Sequence, residues 1–146
     1  SQYHFAFDCK LYTSHSTTEF EQMFARTLYA IILKFNLHNS SHIESQSPDF
    51  MQYVATLIPN YPLYYYPSVF KPALDIIVSK NFTGMVIKND FITNEDVAEA
   101  HSLSKKIIIW GTRTNSENRD AVNKNPDMIE TDQVHYLVQY LHSNSN

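Results

Sequence analysis

The chain has 146 residues, 43% of them hydrophobic, which fits one domain with a sizeable core. Its formal charge is −4, from 11 basic and 15 acidic residues without a basic block, so nucleic-acid binding lacks electrostatic support. The lone Cys9 excludes an internal disulfide framework, two glycines leave little room for a phosphate-cradling loop, and no apolar run approaches the roughly 20 residues of a membrane span.

His4 to Lys10 is aromatic-rich and weakly alternating, and reads as a strand that presents Asp8 and Lys10 on one face. Thr18-Glu19-Phe20-Glu21 has the pattern of a capping box, with Thr18 as the cap. Phe20, Phe24, Leu28, Ile31 and Phe35 follow at helical spacing, which predicts a helix from about residue 18 to 36. His42-Ile43-Glu44-Ser45 reads as a second strand. Pro48-Asp49 opens a helix on Phe50, Tyr53, Val54, Leu57 and Ile58, closed by Pro59 to Pro62. Leu63-Tyr64-Tyr65-Tyr66 is a third strand. Ser68 to Lys80 holds a helix with Pro72 in its first turn, and Gly84 to Lys88 is a fourth strand.

Thr93 caps the next helix, with Asp96 three residues on and Val97, Ala98, Ala100 and Leu103 on its apolar side. Ile107 to Trp110 is four consecutive apolar residues between Lys105-Lys106 and Gly111, the signature of a strand buried on both faces. Ser116 to Asn123 forms a short polar helix, and Met128-Ile129 begins a sixth strand after Pro126. Val134, Leu137, Val138 and Leu141 mark a last helix ending near His142. The single domain thus spans residues 1–142, with Ser143 to Asn146 expected to fray.

Six strands alternating with six helices predict a parallel sheet covered by helices. Units of about 20 to 27 residues fit an open doubly wound sheet or part of a (β/α)8 barrel. In both, ligands sit at the C-terminal edge of the strands, where Thr112 and Arg113, and Glu130, Thr131 and Asp132, are gathered. Glu130 and Asp132 share a face that could hold a cation, though a cap for the last helix is the simpler reading of Asp132. The seven histidines show no ligand spacing and read as surface or helix-face residues, and Tyr64 to Tyr66 reads simply as strand. Asn39-Ser40-Ser41 and Asn81-Phe82-Thr83 match a glycosylation pattern that is common by chance. The opening residues carry no secretory leader pattern, and the sequence leaves the compartment open, extracytoplasmic included.

Several local matches, taken in order, resemble the glycerophosphodiester phosphodiesterase family. Phe7-Asp8-Cys9-Lys10 is similar to that family's acidic-x-Lys strand end. Ile43-Glu44-Ser45 to Pro59 resembles its next strand and helix, with a serine at the strand end and a proline near the helix C-terminus. Ala100-His101-Ser102-Leu103, ahead of Trp110, resembles its Ala-His-x-x-Gly helix leading into a Val-Trp-Thr strand. Asp127-Met128-Ile129-Glu130-Thr131-Asp132 looks like its closing Asp-Gly-Ile-Ile-Thr-Asp strand. The resemblance covers nearly the whole chain.

The resemblance implies a partial (β/α)8 TIM-type barrel of six βα units, equivalent to barrel strands three to eight. The family's first two strands bring a His-Arg pair, a Glu-x-Asp pair and a His-Asp pair, which supply both catalytic histidines and two metal carboxylates. This sequence has no His-Arg, no Glu-x-Asp opening a strand and no His-Asp. No catalytic residue is therefore expected in this chain. What remains of the implied site is Asp8 as a metal ligand, where the family more often has Glu, with Lys10 and Trp110 as substrate-binding residues. Gly111-Thr112-Arg113 stands where the family usually has Thr-Val-Asn.

The implied activity is metal-assisted hydrolysis of a glycerophosphodiester to glycerol 3-phosphate and an alcohol. Calcium or magnesium would be held by several carboxylates, histidines would serve as base and acid, and Lys10 would oppose the phosphate as a point charge. Such a cation wants about six oxygen ligands, so this polypeptide alone is expected to be inactive. A second reading is a non-catalytic binding module on the same scaffold, and a third is an open α/β domain whose strand order reverses at a switch point. Barrel curvature with six strands leaves the Phe5 and Met128 strands as open edges, which missing barrel strands or a second copy of the chain are expected to fill.

Overall fold

The computed structural model describes residues 3–11 and 17–143. Strands β1 (Phe5–Cys9), β2 (Ser41–Ser45), β3 (Leu63–Tyr65), β4 (Gly84–Lys88), β5 (Lys106–Thr112) and β6 (Met128–Thr131) alternate with helices α1 (Thr18–Lys34), α2 (Pro48–Leu57), α3 (Phe70–Ser79), α4 (Asn94–Ser102), α5 (Asn115–Asn123) and α6 (Val134–Ser143). A 3-10 turn, Asn89–Phe91, follows β4 without a local pattern that announces it. All six strands pair in parallel, in the order β1-β2-β3-β4-β5-β6. That order never reverses, so the doubly wound alternative is excluded, and the sheet curls as part of a (β/α)8 barrel. β1 and β6 are its two outer strands.

Alternation along each strand separates two apolar layers. Outward residues such as Ile43, Leu63, Met85, Ile87, Ile107 and Ile109 pack with Leu28, Ile32, Phe50, Val54, Leu74, Ile77 and Val97 of the helices in one continuous core. Inward residues Tyr64, Val86 and Ile108 make a separate inner cluster, with Tyr66, Trp110 and Met128 against it. Both faces of the central strands are thus buried, which is why β5 shows no alternation in sequence.

The helix ends show how a chain with two glycines makes its turns. Asn36, Asn60, Asn81, Ser104 and Asn125, with φ between 52° and 63°, follow α1 to α5 in turn. After α3, Asn81 N–H donates to Val78 O (3.2 Å) and Phe82 N–H to Ile77 O (3.0 Å). The same pair of bonds recurs after α1 and α4, each a Schellman closure. Asparagine tolerates the left-handed conformation better than other side-chain-bearing residues, so it takes the place that glycine usually fills.

One sequence expectation shifts by a residue. The cap of α1 is Thr17, whose hydroxyl accepts from Phe20 N–H (3.2 Å), and not Thr18. Glu21 is spoken for elsewhere: both its carboxylate oxygens accept from the Ser47 hydroxyl at 3.3 Å, tying α1 to the start of α2. The other capping box is as read, with Thr93 and Asp96 bonded reciprocally. Thr114 and Glu117 make a second one on α5. Asp132 stands just ahead of α6, where it is Thr131 Oγ1 that accepts from Gln133 N–H (2.9 Å).

Gly84 is required by close packing. A Cβ there would lie 1.9 Å from the backbone oxygen of Lys106 on β5. Gly84→Ala should therefore lower the stability of the chain by about 1–3 kcal/mol, through separation of β4 from β5. Urea unfolding checks this, and an unchanged midpoint would show that the two strands part without cost.

Candidate functional site at the C-terminal edge of the sheet

The inner face carries polar side chains where the strands end. Asp8 and Lys10 share the inner face of β1 and its extension, as their spacing predicts, and form an ion pair of 2.5 Å, both about half exposed. Cys9, between them, points the other way into the outer core and donates to Phe7 O. Burial, then the Asp8 and Glu44 carboxylates, push its thiol up to about 12, so it is no nucleophile at neutral pH.

Lys10 Nζ lies 5.6 Å from the centre of the Tyr66 ring. On its other side Tyr66 meets Trp110, with ring centres 5.4 Å apart. The separate sequence candidates Lys10 and Trp110 are thus joined through Tyr66, which sequence reasoning read only as strand. Trp110 is half-buried, and its indole Nε1 is buried without a hydrogen-bond partner. Tyr66 and Trp110 reach each other across β4, above Val86.

Lys88, at the end of β4, is a further residue that the sequence did not single out. It is in phase with Val86, so it faces inward, and it stands in register with Trp110. Its ammonium pairs with Asp90 of the 3-10 turn and lies 5.3 Å from the Phe91 ring centre. β5 is irregular between Ile109 and Thr112. Thr112 Oγ1 donates to Glu130 O and Thr131 Oγ1 to Thr112 O, both at 2.9 Å, which closes β5 onto β6 past the irregularity. A bulge of this kind re-aims side chains at a strand end. Beyond it, Trp110, Thr112, Arg113, Glu130 and Asp132 line a cleft of about 240 Å³.

Below this edge the interior holds a polar chain where apolar filling is usual. The histidine reading needs correction at His42. It is 4% exposed, inside the sheet, because the two-residue repeat of β2 sends both His42 and Glu44 inward. His42 Nε2 is 2.7 Å from Glu44 Oε1, and His42 Nδ1 is 2.9 Å from His4 Nε2. Burial lowers the pKa of His42, against the opposing pull of Glu130. A neutral His42 that donates from Nε2 to Glu44 and accepts at Nδ1 from His4 satisfies both contacts. His15 lies outside the described residues.

Glu44, on β2, and Glu130, on β6, are hydrogen-bonded to each other across the interior. Burial, followed by the Glu44 carboxylate, raises Glu130 to about 7. Glu44 is also raised, chiefly by burial, while its bond from Glu130 works the other way. Both carboxyls are thus biased towards the protonated form, and the pair favours sharing one proton. Two ionised carboxylates at this separation would repel.

Among the described residues, no group of three or more histidine, cysteine, aspartate or glutamate side chains is arranged to hold a metal ion. Asp8 is engaged by Lys10, and Glu44 and Glu130 by each other and by His42. The donor set of this chain does not by itself fit a cation that requires about six oxygen ligands.

The raised carboxyl has a consequence for stability. A carboxyl group whose pKa is raised on folding binds more protons when folded, so stability falls as pH rises between the ordinary carboxylate value and about 7. The thermal midpoint should decline from pH 4.5 to 8, and Glu130→Gln, which keeps the hydrogen bond without the charge, should flatten that decline. Parallel pH profiles for the two proteins would show that the carboxyl pair carries no proton.

No protein-family model matches this sequence, and no curated protein matches it. Solved structures do match. A glycerophosphodiester phosphodiesterase from Parabacteroides distasonis superposes with a TM-score of 0.85 at 19% identity, over 98% of this chain and 59% of that one. A glycerophosphoryl diester phosphodiesterase from Silicibacter pomeroyi gives 0.83 at 15% identity, over 94% of this chain and 50% of that one. A phosphodiesterase from Oleispira antarctica, solved with the product sn-glycerol-3-phosphate, gives 0.75 at 13% identity, over 86% and 52%. This chain thus spans between half and three-fifths of the length of these structures. Its fold is that of the glycerophosphodiester phosphodiesterase barrel, over a portion consistent with the C-terminal part of that barrel.

Proposed function

We propose that this chain is the C-terminal part of a glycerophosphodiester phosphodiesterase barrel, which when complete hydrolyses glycerophosphodiesters to glycerol 3-phosphate and an alcohol. The convergence of Lys10 and Trp110 on Tyr66 carries this reading, because it puts a cation beside an aromatic wall at the edge where such barrels bind ligands. In it, Lys10 opposes the phosphate charge and Trp110 walls the substrate. Asp8 would supply one ligand to a calcium or magnesium ion whose other ligands would come from the family's first two strands. The general acid and base also belong to those strands, so this polypeptide by itself turns nothing over.

The competing reading, a non-catalytic binding module, is favoured by the pairing of Glu44 with Glu130 and by Asp8 being occupied with Lys10. Both readings place a phosphodiester at the same edge and differ in whether chemistry follows.

Hydrolysis of glycerophosphocholine with added calcium or magnesium tests the proposal. The isolated polypeptide should show no turnover, and a complete barrel built by supplying the first two strands of a matching enzyme should show turnover. In that barrel, Lys10→Met should lower kcat/KM by about 100-fold, the scale of one lost charge contact in a desolvated site. Turnover by the isolated polypeptide would overturn the incomplete-site reading. An inactive complete barrel that still binds glycerophosphocholine would favour the binding module.

The outer strands β1 and β6 bear on the same question. Unpaired edges seek partners, so the isolated chain should self-associate in sedimentation experiments, and supplying the missing strands should suppress this. A monodisperse monomer would contradict it.

A further inference from the structure

We infer that Lys88 is a second anion-binding residue of this edge, and that it selects substrates whose head group, on the side away from the glycerol, carries its own negative charge. The inference rests on the phosphodiester reading of the site and adds the class of head group to it.

Position is the first argument. Lys10 lies on the Tyr66 side of the Tyr66–Trp110 pair. Lys88 stands in register with Trp110 on the strand between the two aromatics, one step nearer the C-terminal edge than Val86. Lys10 therefore stands at the Tyr66 end of the aromatic pair, and Lys88 stands on the strand between the two rings, at its C-terminal end. A phosphodiester held at Lys10 directs its alcohol portion over the rings towards Lys88.

The second argument is that the path of Lys88 is built. Gly111 has φ +84°, and a Cβ there would come within 3.1 Å of Lys88 Cγ and 3.5 Å of its Cε. The glycine gives the lysine stem a channel across β5. The turn after Lys88 is anchored from below: the half-buried Lys124 donates from Nζ to Asn89 O (2.8 Å), Asn89 Oδ1 (3.0 Å) and Asp120 Oδ2 (2.7 Å). Asn89 Nδ2 also donates to Asp120 Oδ2 (2.8 Å). Asn89 is 3% exposed. A lysine that only needed solvent would require neither the channel nor the anchor.

The third argument concerns its present partner. Asp90 is 58% exposed, against 32% for the Lys88 side chain. A pair this open contributes little, so the anionic end of a ligand can replace Asp90 at small cost. A choline head group would instead meet the Lys88 ammonium as a like charge. The recognised chemistry is a second anion, either a phosphate or a carboxylate on the alcohol portion.

Trp110 is the only tryptophan of the chain and reports binding directly through its fluorescence, without any need for turnover. Three ligands are titrated: glycerophosphocholine, a glycerophosphoinositol phosphate and glycerophosphoserine. The wild-type chain should bind the inositol phosphate diester most tightly. Lys88→Met should weaken that ligand by about tenfold or more and leave glycerophosphocholine within twofold, the scale of one lost hydrogen bond to a charged group. Lys88→Arg should retain most of the affinity. Asp90→Asn should tighten the anionic ligand, an effect opposite in sign to that of a damaged fold. Lys80→Met, on the far end of α3, should change nothing.

A tightened glycerophosphoserine as well would make the recognised group any anion, and its absence would make it a phosphate. Equal weakening of all three ligands by Lys88→Met, or none, would overturn the head-group inference while Lys10→Met still weakens binding. No binding of any of the three to the wild-type chain would overturn both this inference and the phosphodiester reading beneath it.

Discussion

The parallel ladder from β1 to β6, in which each strand pairs only with its sequence neighbours, is the constraint on which this molecule rests. With right-handed crossovers, such an order places every helix on the same side of the sheet. The other side has no helix to cover it and must be filled by the strands' own side chains. Curling the sheet is what allows Tyr64, Val86 and Ile108 to meet each other, and what brings Tyr66 of β3 onto Trp110 of β5. Any residue two positions further along these strands then stands at the edge of the concave face. Asp8, Lys10, Lys88 and Glu130 share that face for this reason, although they lie as far apart in sequence as β1 and β6.

The same concave face explains the polar interior. A complete barrel closes over its inner residues from all sides, whereas six strands leave one flank unpaired. Here that interior is crossed by the contact between Glu44 and Glu130, from β2 to β6, with His42 and His4 behind it. A carboxyl group as buried as Glu44 is costly when ionised, and a proton shared with Glu130 removes most of that cost. The arrangement is therefore tied to pH in a way that an apolar filling would not be. It also means that these two acids are occupied with each other, which takes Glu130 from the cation-holding face that its spacing with Asp132 suggested.

Local sequence governs a large part of the architecture because local physics does. The βα alternation, the Thr93–Asp96 box and the strand Gly84 to Lys88 all depend on neighbours within a few residues, and all are as read. Local sequence does not separate Thr17 from Thr18 at the start of α1, because the two are equally good caps in isolation. The choice falls to Thr17 once Glu21 is drawn to Ser47 of α2. The left-handed asparagines that end the helices had a local signal too, since an asparagine or serine follows each apolar-periodic stretch, but scarcity of glycine concealed it.

By itself, then, the sequence determined the element order, the apolar layers of the helices and the placement of Asp8 and Lys10 on one face, because periodicity and spacing are properties of the chain alone. The tertiary structure decided between an open and a curled sheet, since both satisfy the same alternation and only the unreversed order of strands separates them. It also decided that Tyr66 and Lys88 join Lys10 and Trp110, and that His42 is buried against Glu44 instead of standing on a surface. Those outcomes depend on the curvature that carries β2, β4 and β6 towards a common interior. Curvature belongs to the assembled sheet, so no stretch of residues records it.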